Sequence, residues 1–152
     1  MKLLLHACCG PCSLEPVRIL AEAGHDITIA YLNSNIAPAS EYEHRLKTLL
    51  KWAKSQNIPV IEGPYEPTTW QNAVKLTWDG TQENRADRCR ACYRIRLEEL
   101  ARYAHEHGFE GIGTTLTVSP YQYTDIINEE LERAAAPYEG LSAVFQDFRE
   151  FY

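Results

Sequence analysis

Residues 2–32 read KLLLHACCGPCSLEPVRILAEAGHDITIAYL, and this stretch decides the fold. An apolar run over 2–7 gives way at once to a turn carrying Gly10 and Pro11. A segment of helical period follows over 13–23, with Val17, Leu20 and Ala21 on one face, and Gly24 stops it. A second β-rich run over 26–32 completes the unit. Strand, helix and strand at this spacing form a βαβ crossover, whose two strands lie parallel. The alternation continues along the chain. Further strands are expected over 58–62, 109–115 and 142–148, and further helices over 40–57, 90–107 and 124–136. The helix over 40–57 opens with Ser40-x-x-Glu43, the pattern of a capping box, and carries Tyr42, Leu46, Leu49, Leu50 and Ala53 as its apolar stripe. Tyr93, Leu97, Leu100, Ala101 and Ala104 repeat that spacing before Gly108. The stretch 62–88 is the least periodic, with one short helix expected around 70–76. The expected architecture is α/β, a Rossmann-like three-layer fold with a mostly parallel sheet of about five strands. Its working loops lie at the carboxyl ends of the strands.

The chain has 152 residues, 45% of them hydrophobic and 24% charged, which suits one domain over 1–152. A domain of this size buries roughly 68–70% of its unfolded surface. No run of about 18 apolar residues exists, so a membrane span is excluded and no membrane partner is expected. With 15 Lys and Arg against 21 Asp and Glu, the net charge of −6 argues against general attraction to nucleic acid. Met1-Lys2-Leu3-Leu4-Leu5-His6 is too short an apolar run for a secretory signal, which needs roughly 7–15 such residues. The expected location is therefore the cytoplasm. In a reducing compartment, clustered cysteines indicate metal binding or redox chemistry more than structural bridges.

There are five cysteines, in two groups. His6-Ala7-Cys8-Cys9-Gly10-Pro11-Cys12 puts three thiols on the turn after the first strand, ahead of an electropositive helix N-terminus that favours thiolates. Cys89-Arg90-Ala91-Cys92 is a CxxC, expected at the start of the third long helix with Asp87 as its cap. A spacing of three sets both sulfurs on one face. The two groups can converge on one centre. Thiolates suit zinc or an iron–sulfur cluster. Adjacent cysteines diverge on an extended backbone, so Cys8-Cys9 makes a poor zinc knuckle and suits an extended cluster better. Structural zinc, a dithiol redox pair and inert thiols stay open as alternatives.

Six of the ten arginines fall between 85 and 102, against Asp87, Glu98 and Glu99 in the same window. Arg88, Arg90, Arg94 and Arg96 flank the CxxC. They read either as a solvated helix face with paired charges or as a local phosphate-binding patch beside the metal site.

With these residues in view, the chain resembles the QueH family of epoxyqueuosine reductases, which complete queuosine synthesis at the wobble base of tRNA. The family's opening H-x-C-C-x-P-C appears as His6 to Cys12. Its next motif appears as Tyr31-Leu32-Asn33-Ser34-Asn35-Ile36-Ala37-Pro38 with Glu41, Tyr42 and Arg45. Its R-C-x-x-C signature is Arg88-Cys89-Arg90-Ala91-Cys92, continuing through Tyr93, Arg96 and Leu97. Its T-T-L-T-V-S-P run is Thr114 to Pro120. The resemblance implies that Cys8, Cys9, Cys89 and Cys92 ligate a [4Fe-4S] cluster, with Cys12 the candidate ligand of an adjacent mononuclear iron. It implies tRNA carrying epoxyqueuosine as substrate, an external electron donor, and Asn33, Asn35 and Ser119 as substrate-contacting groups. It also implies a C-terminally incomplete domain. Relatives continue past Asp147-Phe148-Arg149 to a redox-active Tyr-Cys-Gly-Cys segment, whereas this sequence stops at Tyr152. Ala37 replaces a usual His, and the residues 79–87 replace a Gly-rich approach to the CxxC. Two other readings are weighed. One is a non-catalytic RNA-binding module stabilised by zinc or an iron–sulfur cluster. The other, a nucleotide-dependent enzyme, lacks any Gly-rich phosphate loop.

Overall fold

The computed structural model describes residues 1–7, 10–75, 85–118 and 122–145. Five strands, β1 (Lys2–His6), β2 (Asp26–Tyr31), β3 (Val60–Glu62), β4 (Gly111–Thr114) and β5 (Ser142–Ala143), form one sheet in the order β3-β2-β1-β4-β5. Every pairing is parallel. The helices are α1 (Gly10–Glu22), α2 (Ala39–Ser55), α3 (Pro67–Lys75), α4 (Arg85–Glu106) and α5 (Thr124–Ala135), with a short 3-10 turn at Leu116–Val118.

Leu3, Leu4 and Leu5 are all fully buried, because helices cover both faces of the sheet. Leu3 and Leu5 point into one layer with Ile27, Ile29, Val17, Leu20, Leu46 and Leu49, under α1 and α2. Leu4 points the other way, with Ala30, Ile112, Leu97, Leu100 and Leu131, under α4 and α5. Strand order turns back at β1, so the carboxyl ends of β1 and β4 meet at the topological switch point, where open α/β sheets place their sites.

Three helices end alike. Gly24 (φ +95°), Asn57 (φ +57°) and Gly108 (φ +76°) take the left-handed conformation, and the next N–H returns to the carbonyl five residues back. Those bonds are His25 to Leu20, Ile58 to Ala53 and Phe109 to Ala104, at 2.9–3.1 Å.

The helix starts differ from the sequence reading. Helix α1 begins at Gly10, so Cys12 lies in its first turn and not in a loop. Pro11 is tolerated there because first-turn N–H groups need no helical partner. Helix α2 begins after Pro38, whose backbone is extended (φ −72°, ψ 175°), and no side chain caps it, so Ser40-x-x-Glu43 is not a capping box. The backbone N–H groups of Glu41 and Tyr42 instead reach the carbonyl of Pro38. Helix α4 begins at Arg85, which puts Asp87 inside its first turn and not at its cap. The aperiodic stretch holds α3, slightly earlier and longer than expected. Strand β5 is shorter than expected over the described residues, and 146–148 lie outside them. Among the described residues no helix is long and apolar enough to cross a membrane.

Candidate metal centre

The site is built from the carboxyl end of β1 outward. His6 is fully buried between β2 and β4. Its Nε2 faces two oxygens, Leu32 O at 3.3 Å and Asn33 Oδ1 at 3.2 Å, so that nitrogen carries the proton. Its Nδ1 then accepts from the Thr114 hydroxyl at 3.1 Å, whose oxygen accepts the Leu116 N–H. Burial, and then the charge of Arg96, push the imidazole down to about 3, against weaker upward pulls from Leu32 and Asn33. His6 is thus neutral, and it buckles together the ends of three central strands.

Asn33 is 1% exposed and uses both ends of its amide. Its Nδ2 donates to Ala7 O at 2.9 Å. Its Oδ1 accepts from His6 and from Arg96 Nη2 at 2.8 Å. Ala7 is also held to Ala30 O through its own N–H. The residue just before Cys8 is therefore fixed from two sides.

On α4, Cys92 is buried and Cys89 half-buried, and neither is in a disulfide. Two N–H donors point at the Cys92 sulfur, Trp70 Nε1 at 3.1 Å and Arg96 Nη1 at 3.7 Å. One turn of helix separates Arg96 from Cys92, and packing of α3 on α4 brings in Trp70. Arg96 is 6% exposed and, among the described residues, makes no ion pair, while its Nε has no hydrogen-bond partner. A cavity of about 210 Å3 opens beside Trp70 and Arg96, lined also by Leu32, Ser34 and Thr69. Next to Cys92, Tyr93 donates to Gln122 Oε1 and accepts the Tyr123 N–H. Burial pushes its phenol up to about 12, with the neighbouring Cys89 and Cys92 adding to the rise.

Two of the flanking arginines have paired charges, as the first reading of the patch has it. Arg90 reaches Glu129 and Glu130, and Arg94 grips Glu130 through two nitrogens, all at 2.8–3.0 Å. Arg96 is interior. The sequence window counted only its own carboxylates, whereas the compensating ones come from α5. Burial alone would raise the Glu130 carboxyl. The hydrogen bonds of Arg94 and Arg90 and the charges of Arg94 and Arg133 outweigh burial and hold it below its ordinary value.

Of the remaining expected site residues, Cys8, Cys9 and Ser119 lie outside the described residues, and Cys12 and Arg88 are placed only as positions on α1 and α4. Among the described residues, the half-buried Asn35 Oδ1 and the buried Thr115 hydroxyl have no hydrogen-bond partner. Asn33, expected to meet a substrate, engages both ends of its amide within the protein. Trp70 carries no signal in the sequence that would single it out for the site, whereas Thr114 opens the run from Thr114 to Pro120.

Among the described residues, no three His, Cys, Asp or Glu side chains gather as a metal-binding group. Cys89 and Cys92 offer half of a thiolate set. Two N–H donors face the Cys92 sulfur, one of them from a buried guanidinium that has no carboxylate partner among the described residues. Arg96 and Asn33 link Cys92 to Ala7, the residue before the first cysteine group.

A sequence profile of the family described as epoxyqueuosine reductase QueH matches residues 3–152. The epoxyqueuosine reductase QueH of Haemophilus influenzae is 37% identical over 141 residues, covering 92% of this chain and 56% of its own length. That of Histophilus somni is 36% identical over 147 residues, covering 97% and 59%. That of Dehalococcoides mccartyi is 31% identical over 153 residues, covering 99% and 79%. The chain thus spans little more than half the length of the first two relatives. A crystal structure described as a predicted subunit of a tRNA methyltransferase from Methanocaldococcus jannaschii superposes with a TM-score of 0.61 at 13% identity, covering 99% of this chain and 73% of that one. At that identity the likeness concerns the fold alone.

Proposed function

The chain belongs to the QueH family of epoxyqueuosine reductases, and from that premise we propose that it serves the reductive deoxygenation of epoxyqueuosine at the wobble position of tRNA. Two electrons from an external donor and two protons remove the epoxide oxygen as water and leave the cyclopentene of queuosine. The observation that carries this reading is the linkage of Cys92, through Arg96 and Asn33, to the end of β1. It supports a centre assembled from both cysteine groups.

In this reading Cys8, Cys9, Cys89 and Cys92 hold a [4Fe-4S] cluster, and Cys12, in the first turn of α1, is the candidate ligand of an adjacent mononuclear iron. Bound there, the cluster would supply electrons one at a time. The residues around it have separable tasks. Asn33 and His6 position the chain that enters the first cysteine group. The neutral His6 adds no charge beside Arg96. Asn35, Ser119 and the Thr115 hydroxyl are the polar groups proposed to meet the substrate. Arg88, at the α4 start, is proposed to face the tRNA backbone. Arg90 and Arg94 contribute only their half-exposed edges.

Anaerobic purification with iron, zinc and labile-sulfide analysis tests the centre, and incubation of loaded protein with epoxyqueuosine-containing tRNA and a strong reductant tests the reaction. Iron and sulfide in similar amounts, with queuosine formed, are expected. One zinc per chain without sulfide would sink the proposal. A loaded chain that binds the tRNA yet yields no queuosine would make it a binding module instead.

A further inference from the structure

We propose that Trp70 and Arg96 set the reduction potential of the centre through the two N–H donors they aim at the Cys92 sulfur. The inference rests on reading Cys92 as a cluster ligand, and it adds two residues whose role is to tune that ligand and not to touch the substrate.

The geometry is specific. Trp70 comes from α3 and Arg96 from α4, yet both converge on one sulfur, at 3.1 and 3.7 Å. Indole is a donor only, so its Nε1 has no reason to face sulfur unless sulfur accepts. Arg96 is the sharper case. Its guanidinium is almost wholly buried, and among the described residues its only oxygen partner is the neutral Asn33 amide. A buried cation without a carboxylate is costly unless another anion faces it. As a cluster ligand, the Cys92 sulfur would supply that anion.

The consequence for electron transfer follows from charge. One electron added to the centre raises the negative charge on its ligand sulfurs. Hydrogen bonds and a fixed cation at those sulfurs strengthen as that charge grows, so they stabilise the reduced form more than the oxidised one. Both donors therefore raise the potential, and removing either lowers it.

The test uses the full chain, loaded anaerobically and titrated with dithionite and redox mediators. Trp70→Phe keeps a ring in the space and removes the N–H. It is expected to shift the oxidised-to-reduced equilibrium about tenfold toward the oxidised form, which is 59 mV for one electron. A Trp70→Phe chain that loads and titrates at the wild-type potential would overturn the inference. Should that variant fail to load, the wild-type protein decides alone. Its iron–cysteine stretching bands in resonance Raman spectra are expected to move between H2O and D2O, and unmoved bands would overturn the inference as well. A wild-type chain that holds zinc and no labile sulfide would overturn the cluster reading itself, and this one with it.

Discussion

Removing the Glu130 carboxylate separates a structural clasp from a phosphate-binding patch, because the two assign opposite consequences to the same change. The side chain of Glu130 is fully buried on α5 and takes hydrogen bonds from Arg90 Nη1 at 2.9 Å and from Arg94 Nε and Nη2 at 3.0 and 2.9 Å. Arg133 Nε stands 3.8 Å away. Breaking a fully buried ion pair from one side costs about 3–5 kcal/mol. Here the side chains of Arg90 and Arg94 are 32% and 39% exposed and regain part of their hydration, so about 2 kcal/mol is expected for Glu130→Ala. Glu130→Gln keeps the shape and one acceptor and is expected to cost about 1 kcal/mol. With a urea slope of about 2 kcal/mol/M, the alanine variant should unfold about 1 M earlier at unchanged slope. The pH dependence has a defined sign. The folded-state carboxyl titrates below 4.5, so its contribution is fully present above that value and is lost as pH falls through the folded value. The gap between wild type and Glu130→Gln should therefore narrow as pH falls through that lowered folded value. Freed from Glu130, Arg90 and Arg94 should also bind RNA more strongly, with a salt slope steeper by about 0.7–0.9 per added phosphate contact. Urea unfolding and a salt series of RNA binding measure both effects. An alanine variant as stable as wild type, or one whose RNA affinity falls, would refute the clasp.

Three further outcomes are expected. Asn33→Leu strips Arg96 of its oxygen partner and Ala7 of its donor, and should cost about 3 kcal/mol, lowering the thermal midpoint by roughly 8 °C; an unchanged midpoint would show the network is idle. Tyr31→Phe removes the buried hydroxyl that donates to Tyr42 O at 2.9 Å, and a loss of about 1 kcal/mol is expected from denaturant curves, with no change in slope. Cys92→Ser should leave the anaerobically loaded chain with background sulfide and little colour, while retention of full iron and sulfide would remove Cys92 from the ligand set.

What was legible in the sequence follows the range of the interactions involved. The Leu3-Leu4-Leu5 run, with no polar residue between, announces a strand covered on both faces, and Gly24 and Gly108 announce helix ends, because both effects act within a few residues. The starts of α1, α2 and α4 were misjudged. Helix α2 begins on the extended backbone of Pro38 and not on a side-chain cap, and the residues just before α1 and α4 lie outside the described residues. The CxxC spacing gave Cys89 and Cys92 one helical face, and that much was local too.

The partners of the arginines were not local, but the topology contains them. Arg96 meets Asn33 across 63 positions, and Arg94 meets Glu130 across 36. Right-handed crossovers that run from β1 to β2 and β3 put α1 and α2 on one face, and the return to β4 and β5 then puts α4 and α5 together on the other. Once strand order is granted, the arginines of α4 and the acidic pair Glu129-Glu130 of α5 must lie side by side, as the close packing of α4 on α5 shows. Counting charge along a window hid this, while counting it across two neighbouring helices exposes it. The same step leaves Arg96 as the arginine to explain, since the carboxylates of α5 serve Arg90 and Arg94 and none serves Arg96 among the described residues. What faces Arg96 instead is the sulfur of Cys92. In the proposed reading, its charge therefore serves the cysteine site and not a phosphate outside.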